Sequence, residues 1–249
     1  MLFAGHGESP RPGNFVYMGL KDLSRDLQAA LDYIFLEDTS APDPVLVAHS
    51  WGGGLAQYTI ANSNPDDGDN LVSGLVLLAS IPPSGMHRAL VAWMRHDPWY
   101  IPRAIWDMGD IRSLLSTPPL VRRAFFGTHT PRTVVQEFFN FYMNHEETVS
   151  WMRDMMFRYV KPRDVTAKVP GGRVFCMGGD RDALITPDIV RDTAGEYGVG
   201  MVYVRPSGVF SFVFLFLTHF ASPGHHMQND VSWKEAADVV LDKVAQWGL

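Results

Sequence analysis

Only one of the 249 residues is a cysteine, Cys176, so no internal disulfide can form and a reducing, cytoplasmic setting is expected. Its flanks, Arg173-Val-Phe-Cys-Met177, read as a buried strand, which makes it an inert core thiol rather than a nucleophile. No basic block exists: 21 Lys and Arg stand against 27 Asp and Glu, a net charge of −6. Phosphate neutralisation is the main affinity term for nucleic acid, so nucleic acid is not an expected partner. The most apolar run, Val209 to Leu217, is nine residues long. A membrane span needs about 20. The start, MLFAGHGESPRPG, has neither a basic leader nor a long apolar stretch, so no signal peptide is expected. No His, Cys or Glu spacing suits a metal site, and no glycine-rich phosphate loop suits a nucleotide. Neither a metal nor another cofactor is expected.

The chain is organised around residues 44–61, PVLVAHSWGGGLAQYTIA. Val45, Leu46 and Val47 form a short, β-branched apolar run that suits a strand buried in a parallel sheet. After Ser50 the period changes to helical, with three glycines and then Leu55, Ala56, Tyr58, Thr59 and Ile60. A strand that turns into a helix this abruptly strains its corner residue, Ser50. It also asks for small residues two positions to either side, here Ala48 and Gly52.

Leu20, Leu23, Leu27, Ala30, Leu31 and Ile34 make one apolar stripe opposite Lys21, Asp22, Arg25, Asp26 and Asp32, which predicts an amphipathic helix over 20–35. A second buried strand is expected within 71–80, LVSGLVLLAS, a third over 173–177 and a fourth over 201–204. Residues 86–168 differ. They hold Trp93, Trp99, Trp106 and Trp151, many methionines and helical periodicity, with helices expected near 132–143 and 146–159 and breaks at Pro118, Pro119 and Pro131. This stretch reads as an inserted helical cap whose adaptable apolar side chains would wall a pocket. Ser232-Trp-Lys-Glu235 has capping-box spacing and opens a last helix with Trp233, Ala236, Ala237, Val240, Val244 and Trp247 near one face. Strands alternating with helices imply a parallel sheet.

A serine hydroxyl becomes a useful nucleophile when a base takes its proton and a third group orients the base. The chain supplies Ser50, then an acid within 179–182, then a histidine within 223–230, each next to an expected strand end or before the last helix. In a doubly wound sheet such groups meet at the carboxyl ends of strands, where loops converge.

With GHGES (5–9), AHSWGG (48–53), GGDRDALITP (178–187) and GHHMQND (224–230) in this order, the sequence resembles the α/β-hydrolase superfamily over nearly its whole length. The resemblance implies an α/β fold, a mostly parallel sheet flanked by helices, with a core of 1–85 and 169–249 and a cap of 86–168. It implies Ser50 as nucleophile, Asp182 as the acid, His225 as general base and the Trp51 amide as an oxyanion donor. Asp180 and His226 are the competing choices. Asp182 is preferred for its position before Leu184 to Pro187, and His225 because it directly follows Gly224. His49 is read as structural, and His6, His87, His96, His129, His145 and His219 as surface or packing residues.

Two departures are visible. GHGES resembles the loop after the family's fourth strand, so the resemblance implies a core without its early strands and without their oxyanion donor. Reading Gly5-His6-Gly7 as the donor loop itself fits less well, because only 43 residues separate His6 from Ser50. Residues 207–221, SGVFSFVFLFLTHFA, form an atypical apolar insertion, readable as an unremoved intron or as a lipid-facing loop. The activity implied is cleavage of a carboxylic ester, of a lipid or acyl kind, by a Ser-His-Asp triad through an acyl-enzyme, on a small apolar substrate. The rivals are an impaired relative that binds a small apolar ligand and a hydrolase of amide, lactone or carbon–carbon bonds.

Overall fold

A computed structural model describes residues 9–37, 43–63, 71–106, 115–127, 130–142, 154–156, 158–204, 224–230 and 233–249. The GHGES segment up to Glu8, the insertion at 207–221, Ser232 and most of the helix expected at 146–159 lie outside the described residues.

Four strands form one parallel sheet in sequential order: β1 (Val45–His49), β2 (Gly74–Leu78), β3 (Val174–Gly179) and β4 (Met201–Val204). The second strand is shorter than the apolar run from Leu71 to Ser80, and its parallel register with its neighbours begins at Gly74. Side chains alternate across the sheet, and the register shows which helices each face meets. A Cβ at Gly178 would lie 2.6 Å from Val190 on α8 (Pro187–Tyr197), so Val174, Cys176 and their register partners Leu75 and Leu77 share that side. A Cβ at Gly74 would lie 2.6 Å from Trp247, just past α9 (Trp233–Gln246), and Lys243 of α9 sits over the Phe175 ring. Phe175 and Val76 therefore face the other side. Strands β2 and β3, buried on both sides, are accordingly continuous apolar runs. The expectation that Val45, Leu46 and Val47 form a buried strand is not met: among the described residues β1 is an edge of the sheet, and Val47 is exposed.

The elbow helix, α2 (Trp51–Asn62), packs against α1 (Leu20–Glu37) and α7 (Pro162–Thr166). Leu20, Leu23 and Leu31 of the predicted stripe are buried, but Ile34 is 49% exposed. At ~1.5 Å per residue the 18-residue α1 is longer than the 12-residue α2 it packs against, so its whole stripe cannot be buried on that helix. Trp233, placed near the packed face of the last helix by its spacing, is half exposed, whereas Ala236 and Trp247 pack on the core.

Lys168 closes the far end of α2, donating from Nζ to Ala61 O (2.8 Å) and Ser63 O (2.6 Å). Those carbonyls have no intrahelical partner, and an ammonium there suits the negative end of the helix.

Between β2 and β3 come α3 (His87–His96), α4 (Tyr100–Trp106), α5 (Pro118–Phe125), α6 (Arg132–Tyr142) and α7. Pro118 and Pro119 open α5, and Pro131 precedes α6. These prolines begin helices because their fixed φ suits a first turn and their missing N–H costs nothing there. Val121, Phe126, Val135 and Phe138 form a small apolar cluster of their own, apart from the cluster that packs on the sheet.

Candidate active site

Ser50 stands between β1 and α2 with φ 51° and ψ −120°. A non-glycine residue in this region carries about 1–3 kcal/mol of strain, which surrounding contacts must offset. Here the Ser50 N–H donates to Leu78 O (3.0 Å), and Ser50 O accepts from Ile81 N (3.0 Å) and Gly53 N (3.1 Å). The corner is thus tied to the end of β2. Close approach falls on a different glycine from the one that motif spacing singles out. Among the described residues nothing lies within 4 Å of a Cβ at Gly52, whereas one at Gly53 would lie 2.0 Å from Ser80 Oγ. The elbow helix abuts the strand end at Gly53, so that is where a side chain cannot fit.

A buried polar network secures this contact. Gln57, fully buried on α2, donates from Nε2 to Gly53 O (2.9 Å), Ser80 Oγ (3.1 Å) and Ile81 O (2.9 Å). Its Oε1 accepts from Tyr197 OH of α8 (2.9 Å). Sequence reasoning passed over Gln57. The available signal was an amide side chain on the buried face of an otherwise apolar helix, which needs several partners.

Asp182 lies in the loop after β3 and is buried. Its Oδ1 accepts from the backbone N–H groups of Leu184 (2.8 Å) and Ile185 (2.9 Å), which leaves Oδ2 aimed at His225. His225 belongs to the segment before α9, whose Met227 is fully buried in the main core. His225 Nδ1 is 2.7 Å from Asp182 Oδ2, and its Nε2 is 2.7 Å from Ser50 Oγ. A carboxylate can only accept, so the Nδ1–H donates to Asp182 and the Ser50 hydroxyl donates to the bare Nε2. Of the alternatives weighed, then, Asp182 and His225 are the residues brought together with Ser50.

The two other histidines nearby are held neutral. Burial, then the neighbouring His225 and His226, push the His49 pKa well below its ordinary value. Its Nε2–H donates to the backbone carbonyl of His225 (2.8 Å). Burial, then His225, lower His226 to about 3, and its Nδ1 accepts from Asn229 Nδ2 (3.0 Å). His49 therefore has a stated structural task, holding the main chain of the residue that faces Ser50. Burial pushes the Cys176 thiol up to about 12, as suits an inert core residue.

Trp51 is the first residue of α2 and packs half-buried against the core. Its N–H belongs to the first turn, at the positive end of the helix dipole. Helices α5 and α6 supply aromatic neighbours. The Phe125 ring stacks on His225 with centroids 5.8 Å apart, and Phe138 meets His226 edge-on at 4.6 Å. A separate cavity of about 680 Å³ opens at the opposite rim of the sheet, lined by Arg173, Phe175, Lys243 and Trp247, and includes none of Ser50, Asp182 or His225. Among the described residues no three His, Cys, Asp or Glu side chains converge as metal ligands would, and no helix is long and apolar enough to cross a membrane.

A strained serine at a strand-to-helix corner, bonded to an imidazole that is itself bonded to a carboxylate on a later strand, is the arrangement of a hydrolase on a parallel α/β sheet. The chain belongs to the alpha/beta hydrolase family, whose model matches residues 2–228. Solved structures share the fold at low identity. An esterase from Thermogutta terrifontis superposes with a TM-score of 0.61 at 14% identity, over 98% of this chain and 78% of that one. An esterase from a Rhodococcus species gives 0.59 at 14%, over 97% and 80%. A soluble variant of monoglyceride lipase from Saccharomyces cerevisiae gives 0.57 at 14%, over 98% and 74%. No curated protein matches the sequence.

Proposed function

We propose that this protein is a serine hydrolase that cleaves a small, apolar carboxylic ester through an acyl-enzyme. The observation that carries the reading is the continuous hydrogen-bonded line from Ser50 Oγ through His225 to Asp182, with 2.7 Å at each step. In this reading Ser50 Oγ attacks the ester carbonyl while His225 Nε2 takes its proton. Asp182 holds the imidazole in the receptive tautomer and stabilises the imidazolium that forms. The tetrahedral oxyanion develops near the start of α2, where the Trp51 N–H receives it; one such donor contributes about 3 kcal/mol to the transition state. His225 then returns its proton to the departing alkoxide, and a water activated by the same nitrogen hydrolyses the acyl-Ser50 ester. No cofactor enters any step.

Residues 1–85 and 169–249 act as the core and 86–168 as the cap. The small apolar cluster of Val121, Phe126, Val135 and Phe138 supports a separately packed insertion, and the Phe125 and Phe138 rings beside His225 and His226 support an apolar acyl or alcohol group. The lone buried thiol suits work in a reducing compartment such as the cytoplasm.

The test is reaction of the purified chain with a fluorophosphonate probe and with p-nitrophenyl esters of increasing acyl length. Labelling of Ser50, with turnover lost in Ser50→Ala, is expected. A folded chain that neither labels nor turns over any of these esters overturns the reading.

A further inference from the structure

The segment carrying His225 is fastened to the helical insertion by a carboxylate that the proposed chemistry does not use. Asp230 is 2% exposed. Its Oδ1 accepts from Thr130 Oγ1 (2.6 Å), and its Oδ2 accepts from the backbone N–H groups of Gly127 (3.0 Å) and Gly224 (3.0 Å). Gly127 and Thr130 lie in the connection between α5 and α6. Gly224 and Asp230 bracket His225. One buried carboxylate therefore bridges two parts of the chain about a hundred residues apart, and a buried charge is tolerated only when its lone pairs are filled in this way.

Other contacts run in parallel. The His226 N–H donates to Phe125 O (2.9 Å), and Phe125 stacks on the His225 ring. Gly224 lies so close that a Cβ there would be 2.6 Å from both Phe125 O and the Phe126 carbonyl carbon. His49 of β1 holds the His225 carbonyl. The His225 segment is thus held to the sheet by His49 and to the α5–α6 connection by Asp230.

We infer that Asp230 is a positioning residue that fastens the α5–α6 connection to the imidazole-bearing segment, so that the placement of the insertion sets the approach of His225 Nε2 to Ser50 Oγ. Its kinetic consequence rests on the serine-hydrolase reading. Its structural consequence does not. General-base catalysis needs hydrogen-bond reach, and a misplacement of about 1 Å costs roughly a hundredfold in rate. A rigid insertion–histidine joint makes the rate answer to whatever fills the space against α5 and α6, because moving those helices moves the base.

Three variants of the full chain test this: Asp230→Ala, Asp230→Asn and Thr130→Val. An asparagine can turn its oxygen to the two backbone N–H groups and donate its amide to Thr130 Oγ1, so it keeps all three bonds. Thr130→Val removes only the bond from the insertion side. The readouts are kcat and KM for p-nitrophenyl butyrate, the urea midpoint, and the downfield proton resonance of His225 Nδ1–H, which reports the His225–Asp182 bond without any turnover. The expected result is a kcat lowered about tenfold in Thr130→Val and about a hundredfold in Asp230→Ala at unchanged KM. Asp230→Asn should return to within about threefold of the parent. The downfield proton should broaden or vanish in Asp230→Ala and persist in Asp230→Asn. The inference is overturned if Thr130→Val and Asp230→Ala keep the parent's kcat and downfield proton while only the urea midpoint falls. If the parent itself hydrolyses no ester and takes no fluorophosphonate, the hydrolase reading fails, and the resonance alone decides the positioning role. If Asp230→Ala does not fold, Thr130→Val decides it.

Discussion

Strands β1 and β3 hold opposite ends of one hydrogen-bonded line, yet the rest of the molecule treats them differently. Every residue of β3 is buried, whereas β1 leaves Val47 48% exposed. Trp247 and Lys243 at the end of α9 reach Gly74 on β2 and Phe175 on β3, but no described residue covers Val47 on that same face. Asp182 is therefore positioned by a strand that packing fixes on both sides. Ser50 is positioned locally, by backbone bonds to Leu78 and Ile81 and by the approach of Gly53 to Ser80. The lesson is that a damaged β3 should fail by unfolding, whereas a damaged elbow should fail first in geometry.

The largest effect expected is chemical and leaves the strands intact. Ser50→Ala or Asp182→Asn should lower kcat/KM on the order of 10⁴-fold or more with the urea midpoint little moved, as read by ester hydrolysis beside chemical denaturation. Next comes the packed strand. Phe175→Ala should cost about 3–5 kcal/mol of stability in urea unfolding. Gly53→Ala should cost about 1–3 kcal/mol, because its Cβ meets Ser80, and fluorophosphonate labelling of Ser50 should slow further than the stability loss accounts for.

Acid sensitivity is of similar size to the Gly53 effect over one pH unit. His226 titrates near 3 when folded and about 6.5 when unfolded, and His49 is shifted in the same direction. Between those values the unfolded chain takes up protons that the folded chain excludes. Stability is then fully present above pH 6.5 and falls below it by as much as about 1.4 kcal/mol per pH unit for each histidine. Urea midpoints measured from pH 7.5 down to 5 check the sign. The smallest effect is the mirror of Phe175. Val47→Ala should change stability by about 0.5 kcal/mol or less, and a larger loss would mean that β1 is covered after all.

The strands, the elbow and the chain order of Ser50, Asp182 and His225 were legible in the sequence because they depend on local period and chain order. Apolar runs within 45–47, 173–177 and 201–204 mark parallel strands, though not their burial, since Val47 is exposed on the edge strand of the described sheet, and a serine at a change of period marks the corner. What was not legible depends on which distant positions meet. Motif spacing points to Gly52, but the crowding falls on Gly53 because Ser80, 27 residues on, comes to lie against it. The Ile34 stripe gives a direction without the length of the helix it faces. Gln57 and Asp230 look unremarkable in sequence, since an amide four residues after a glycine and an acid five after a histidine acquire tasks only once Tyr197 and Thr130 arrive beside them.

The ammonium of Lys168 has a consequence beyond closing a helix end. It offsets the negative pole of α2 at the Ala61 and Ser63 carbonyls. An acyl group on that lysine would remove the ammonium and loosen this end of the helix. The cost would stay there, about 18 Å from the Ser50 corner, because such a pole is felt only within about a turn.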